Sequence, residues 1–68
     1  MIRVGTIGTS VITDDFIRCL KQVEDYQLVC VYSRDEDKAR MFAEKHACPG
    51  YTSNWDALLK DPGIDAIY

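Results

Sequence analysis

Gly8, Thr9, Ser10, Val11 and Ile12 follow directly on an apolar run, Ile2 to Ile7, and lead into a helical pattern. Glycine lets a chain turn tightly with no Cβ in the way. A helix that starts there aims unpaired N–H groups and the positive end of its dipole at the turn. The chemistry open to such a junction is anion binding, with a phosphate or diphosphate as the natural guest. The dinucleotide fingerprint G-x-G-x-x-G/A is met only in part. With Gly8 first, the second position is Ser10 and the third is Thr13. Ser10 brings a hydroxyl that could bond a phosphate oxygen. Thr13 is bulkier than Gly or Ala and is expected to push the helix slightly off the sheet. The competing account is a plain strand-to-helix turn in which Thr9, Ser10 or Thr13 caps the helix.

A second set lies after the next apolar run. Where a dinucleotide domain selects NAD, an acid near the end of the second strand bonds the ribose 2′-hydroxyl. Here that strand ends Tyr32-Ser33-Arg34, and the carboxylates follow at Asp35, Glu36 and Asp37. Arg34 stands where a 2′-phosphate would sit, and a guanidinium can clamp phosphate with two hydrogen bonds. Ser33 could donate its hydroxyl to the same group, and Lys38 could add a second positive charge. In the competing account Arg34 and Lys38 pair with the neighbouring acids on a solvated helix start, at about 0–1 kcal/mol per pair.

The remaining candidates read as structural. Asp14 and Asp15 could mimic the acidic metal pocket of a receiver domain, but that pocket needs acids at the end of the first strand. In a first helical turn they favour the dipole instead. His46 reads as a cation near a helix C-terminus, and Trp55 as packing for the third helix rather than a base-stacking platform. No Gly-Lys-Ser/Thr of a P-loop occurs. No metal-ligand spacing and no catalytic residue is found.

The elements that must position these groups alternate. Ile2–Ile7 reads as a strand. Val11, Ile12, Phe16, Cys19, Leu20 and Val23 recur at helical spacing, which predicts a helix from Ser10 to Glu24. Gln27 to Tyr32 is an almost continuous apolar run, as in a central parallel strand buried on both faces. Ala39, Phe42, Ala43 and His46 mark one face of a helix starting near Asp35 or Glu36 and broken by Pro49-Gly50. Tyr51-Thr52 is a short strand. Ser53-Asn54-Trp55-Asp56 resembles a capping box, followed by a helix with Trp55, Leu58 and Leu59 on its apolar side. Asp61-Pro62-Gly63 is a turn, and Ile64 to Tyr68 opens a further strand. Such β-α-β-α-β-α-β alternation predicts an α/β fold with a parallel sheet and right-handed crossovers. The expected strand order is 3-2-1-4, with two helices on one face and the third on the other. The ligand cleft is expected where the order reverses, between the first and fourth strands.

The 68 residues are 47% hydrophobic and 28% charged, with net charge −3, which allows one small domain with a thin core. The basic residues are scattered and the balance is acidic, so no nucleic-acid partner is expected. No apolar run approaches a membrane span, and Met1 leads into a strand without the basic region and apolar core of a signal peptide. Three cysteines without a C-x-x-C point to thiols in a reducing, cytoplasmic setting, with Cys19 and Cys30 buried in apolar stretches.

In combination, these segments resemble the N-terminal region of the glucose–fructose oxidoreductase and inositol dehydrogenase (Gfo/Idh/MocA) family. The matching pieces are Ile7-Gly8-Thr9-Ser10-x-Ile12, Val31-Tyr32-Ser33-Arg34-Asp35, Lys38-Ala39 with Phe42-Ala43, Tyr51-Thr52-Ser53, and Leu58-Leu59-x-Asp61-Pro62-x-Ile64-Asp65-Ala66-Ile67-Tyr68. The resemblance implies an NAD(P)-dependent oxidoreductase acting on a sugar- or cyclitol-like alcohol. It implies diphosphate contacts at Gly8, Thr9, Ser10, Val11 and Ile12, and NADP rather than NAD at Ser33, Arg34 and Lys38. The family's catalytic lysine and its substrate domain have no counterpart within these residues. Residues 1–68 are therefore expected to be the N-terminal part of a dinucleotide-binding domain, inactive alone and drawn from a homo-oligomeric parent. The alternative is a non-catalytic, nucleotide-binding or self-associating module.

Overall fold

The computed structural model describes residues 1–68. Its elements are β1 (Ile2–Ile7), α1 (Val11–Leu20), β2 (Tyr26–Tyr32), α2 (Glu36–Lys45), β3 (Tyr51–Thr52), α3 (Trp55–Lys60) and β4 (Ala66–Ile67). All strand pairs are parallel and the order is β3-β2-β1-β4, as the alternation predicts.

One irregularity sets the two faces of the sheet. Val4 pairs with Leu28 but Gly5 pairs with Cys30, so Val29 is an extra residue in β2. Side chains alternate along a strand, so Leu28 and Val31 would otherwise face opposite ways. The bulge restores the register, and both join Val4 in one core with Ile17 and Leu20 of α1 and Phe42 and Ala43 of α2. The opposite face is thinner. There Leu58 of α3, 1% exposed, and Ile64 lie against Gly5, where an added Cβ would stand 3.2 Å from either side chain.

The ends of the elements differ from the sequence pattern where backbone bonds overrule periodicity. α1 stops at Leu20 rather than Glu24. The Gln22 and Val23 N–H groups reach back only three residues, to Cys19 and Leu20, and this tightening turns the chain toward β2. The apolar spacing continues to Val23, but that side chain is exposed, as is Cys19. α2 ends in a Schellman motif before Pro49 is reached: Cys48 N–H donates to Ala43 and Ala47 N–H to Glu44, with Ala47 at φ 54°. Asn54, not Ser53, caps α3, accepting from Ala57 N–H at 3.1 Å. Trp55 and Leu59 stay largely exposed. β4 has two residues rather than five: the Ile64 N–H still closes the turn onto the Asp61 carbonyl, while backbone bonds of Asp65 to Arg3 and of Tyr68 to Gly5 and Ile7 flank Ala66–Ile67.

Arg3 and Asp65 tie the edge strand to the centre. The Arg3 guanidinium donates from Nε and Nη2 to the two carboxylate oxygens, each at 3.0 Å, and Arg3 N–H donates at 2.8 Å. These bonds hold the Asp65 carboxyl at about 2, below the ordinary 3.8. The folded form thus binds this proton less readily than the unfolded chain. Asp65 contributes stability above about pH 4 that is lost as pH falls toward 2. Urea unfolding followed by circular dichroism should show a steeper fall over that window for the parent chain than for Asp65→Asn. Parallel curves would mean the pair contributes nothing.

Thr6 is fully buried on the core face of β1, and its hydroxyl has no partner. An unmet hydroxyl costs free energy that an isosteric methyl does not. Thr6→Val is expected to raise stability by about 1 kcal/mol. A lowered urea midpoint would contradict this.

Candidate functional site

The β1–α1 junction is built around Gly8, whose φ of +93° falls where an L side chain is strained. Its N–H donates to the Tyr32 carbonyl at 2.8 Å. That bond sets the glycine turn beside the end of β2, so the two segments singled out by sequence are neighbours. Beyond Gly8, the N–H groups of Thr9, Ser10, Val11 and Ile12 have no acceptor within the chain. They are the free donors expected at a helix start, and the helix dipole adds to them.

Ser10 is the N-cap of α1: its Oγ accepts from Thr13 N–H at 3.4 Å and lies 3.3 Å from the Thr13 hydroxyl. Thr13 occupies the third fingerprint position, buried, and its Oγ1 donates to the Ile7 carbonyl at 3.3 Å. Its hydroxyl therefore ties the helix to the strand. The space an added Gly8 Cβ would take is bounded only by Thr13 Oγ1, at 3.7 Å.

At the end of β2, Ser33 N–H donates to Thr52 and Ser33 Oγ accepts from Asp35 N–H at 3.3 Å. Asp35 caps α2, its Oδ1 accepting from Asp37 N–H and Lys38 N–H. Asp37 pairs with Arg40, which also reaches Glu44. Arg34 and Lys38 are exposed and enter no ion pair, so the pairings of the competing account are not formed. Lys38 and Thr9 border one cleft, with Met41, Phe42 and Lys45 along its α2 wall. Trp55 packs edge-on against Tyr32, with ring centroids 5.3 Å apart.

Sequence reading missed a charged cluster next to this junction. Asp14, read as dipole compensation, is nearly buried and joins α1 to α2. Its Oδ1 accepts from His46 Nε2 at 2.8 Å and Lys45 Nζ at 2.9 Å, and its Oδ2 lies 2.9 Å from Arg18 Nε. The Lys45 ammonium beside it holds the Asp14 carboxyl below the usual range despite desolvation, with His46 and Arg18 adding to the effect. His46 is 6% exposed, stacked edge-on against Phe42, and its carbonyl accepts from Lys21 Nζ. The signal was present, since His46 continues the buried stripe Ala39, Phe42, Ala43. A polar group on a core stripe needs a partner.

The match of the whole chain decides its family. The model of the "Oxidoreductase family, NAD-binding Rossmann fold" matches residues 2–68. The chain belongs to this family, the Gfo/Idh/MocA oxidoreductases. It is 40% identical over its full length to scyllo-inositol 2-dehydrogenase (NADP(+)) of Bacillus subtilis, covering 21% of that protein. It is 39% identical over 94% of its length to trans-1,2-dihydrobenzene-1,2-diol dehydrogenase of Xenopus laevis, covering 20% of that protein. The chain thus spans about a fifth of the length of these relatives. Among solved structures it resembles myo-inositol dehydrogenase of Lactobacillus casei in complex with NAD(H) and myo-inositol, with TM-score 0.87 and 26% identity over 98% of the chain and 20% of that protein. It also resembles a 3-ketoreductase of Actinomadura kijaniata in complex with NADP and TDP-benzene, with TM-score 0.89 and 29% identity over 98% of the chain and 21% of that protein. The fold is the NAD(P)-binding Rossmann fold, and no helix is long and apolar enough to cross a membrane.

Proposed function

We propose that this chain is the dinucleotide-binding portion of an oxidoreductase that moves a hydride between NADP and a hydroxyl-bearing carbon of a cyclitol- or sugar-like substrate. The observation that carries the choice of NADP is the pair of unpaired cations, Arg34 and Lys38, beside a glycine turn whose amides have no acceptors. The residues fit the group. The N–H groups of Thr9, Ser10, Val11 and Ile12 hold the diphosphate oxygens, and Gly8 keeps the approach open. Ser10 contributes through its cap, which fixes the first turn, more than through a direct bond. The Arg34 guanidinium clamps the 2′-phosphate, Lys38 adds charge from the next helical turn, and the Ser33 hydroxyl donates to the same group. The bound cofactor supplies the hydride acceptor or donor, and the rest of the catalytic apparatus lies outside residues 1–68.

The substrate class is supported by relatives named for inositol and dihydrodiol oxidation. We place the protein in the cytoplasm and take the parent enzyme to be a homo-oligomer. A self-associating reading has one observation in its favour. An apolar groove between α1 and the β1–β4 edge is lined by Phe16, Cys19, Val23, Ile67 and Tyr68 among others. Titration of the protein into NADPH and NADH, read by nicotinamide fluorescence, tests the leading reading. Tighter binding of NADPH supports it, and tighter binding of NADH refutes the role given to Arg34 and Lys38. Sedimentation at high micromolar concentration tests the second, which a clean monomer refutes.

A further inference from the structure

The Asp14 cluster sits one helical turn behind the amides of Thr9 to Ile12, a distance of about 5 Å along the helix axis. A carboxylate so near an anion site is an anomaly. It favours the helix dipole, but it also repels a phosphate approaching the same end. The structure surrounds that carboxylate with positive charge. Lys45 Nζ lies 2.9 Å from one oxygen and Arg18 Nε lies 2.9 Å from the other, while His46 Nε2 donates at 2.8 Å. The lysine comes from the far end of α2 and is 57% exposed, whereas the Asp14 side chain is 11% exposed. The charge that neutralises Asp14 is thus held at the surface, on the wall of the cleft that opens at Thr9 and Lys38.

Resting on the nucleotide-binding reading above, we propose that Lys45 is a positioning residue for the dinucleotide site. It neutralises Asp14, so that a buried interhelical carboxylate can stand beside the phosphate-binding turn without repelling the ligand. The division of labour follows from the contacts. His46, pinned through its carbonyl by Lys21 and through its ring by Asp14, fastens α2 to α1. Arg18 compensates Asp14 from within α1. Lys45 compensates it across the helix pair, on the side facing the cleft. Lys38, in the same cleft, enters no ion pair and stays available for the ligand.

The test is a double-mutant cycle in the intact protein, read as dissociation constants for NADP and NAD at low salt. Lys45→Gln removes an exposed side chain and is expected to weaken NADP about three- to tenfold, the scale of one positive charge lost within a few helical turns of the phosphates in a partly aqueous setting. NAD, with one phosphate fewer, is expected to weaken less. Lys45→Arg should stay near the parent. Asp14→Asn alone should tighten NADP binding, and Asp14→Asn combined with Lys45→Gln should bind within about twofold of the parent, because the two charges offset one another at the ligand. A double variant as weak as Lys45→Gln alone would mean that the Asp14 charge does not reach the ligand, and would overturn the proposal. So would an unchanged affinity in Lys45→Gln. Should Asp14→Asn cost the fold, salt dependence decides: the Lys45→Gln loss must shrink as salt is raised, and a salt-independent loss overturns the proposal. If the parent protein binds neither nucleotide, the reading beneath the proposal fails first and separately, and the proposal falls with it.

Discussion

Arg34→Asp is expected to raise the dissociation constant for NADP by roughly ten- to a hundredfold, about 1–3 kcal/mol, while changing that for NAD little. The expectation rests on position and on freedom. Arg34 follows the last residues of β2, next to the turn that the Gly8 N–H bonds to Tyr32. None of the adjacent carboxylates engages it: Asp35 is committed to capping α2 and Asp37 to Arg40. An arginine already paired would have to give up its partner before binding phosphate, and this one does not. Arg34→Lys should recover only part of the loss, since an ammonium cannot present two parallel donors. Competitive titration of the two cofactors checks the result. Equal weakening of both would make Arg34 a structural residue and remove the argument for NADP.

Gly50→Ala is expected to destabilise the fold by about 1–3 kcal/mol, without acting on the ligand site directly. A Cβ at Gly50 would stand 2.7 Å from the Val29 carbonyl oxygen, and that neighbour is backbone. The contact cannot be relieved by a rotamer change. Nor can the Gly50 segment recede freely, because its carbonyl accepts from Val31 N–H at 3.1 Å and from Cys48 Sγ at 3.2 Å. Moving it breaks the join between β3 and the bulged part of β2. In a domain of this size such a loss lowers the thermal midpoint by roughly 5–20 °C. Thermal unfolding by circular dichroism measures it. An unchanged midpoint would show that the strand has slack the contacts do not suggest.

Sequence pattern revealed the frame more readily than its joints. Apolar runs, helical spacing and turn residues revealed every strand and helix, right-handed crossovers limited the topology, and the expected order 3-2-1-4 is the one formed. Gly8 stood out because a strand running into a helix needs a residue of its kind. The Val29 bulge left no mark, since Leu28, Val29, Cys30 and Val31 are all apolar and any register would read alike. Helix ends were displaced for a related reason. Periodicity reports which side chains are apolar, whereas α1 stops where its N–H groups begin reaching back three residues. Pro49-Gly50 marked a break, but Ala47 ends α2 in a conformation more usual for glycine.

The candidate site divides in the same way. Ser33, Arg34 and Lys38 could be placed from their distance past the second strand, and the structure sets Lys38 across a cleft from Thr9. What one-dimensional reading could not settle was competition for charge. Arg34 had three acids within reach along the chain, and only the fold shows Asp35 turned to the backbone and Asp37 to Arg40. Conversely, Asp14 looked like a local dipole device until the fold brought Lys45 and His46, more than thirty positions away, against it.

The most direct test of the account is a titration of the isotope-labelled protein with NADP, following each backbone amide by nuclear magnetic resonance. The amides of Thr9, Ser10, Val11 and Ile12, which have no acceptor in the chain, should shift most, together with those of Ser33, Arg34 and Lys38. Shifts confined to Phe16, Ile67 and Tyr68 along the apolar groove, or no shifts at millimolar NADP, would contradict the assignment of the glycine turn and the β2 end as one dinucleotide site.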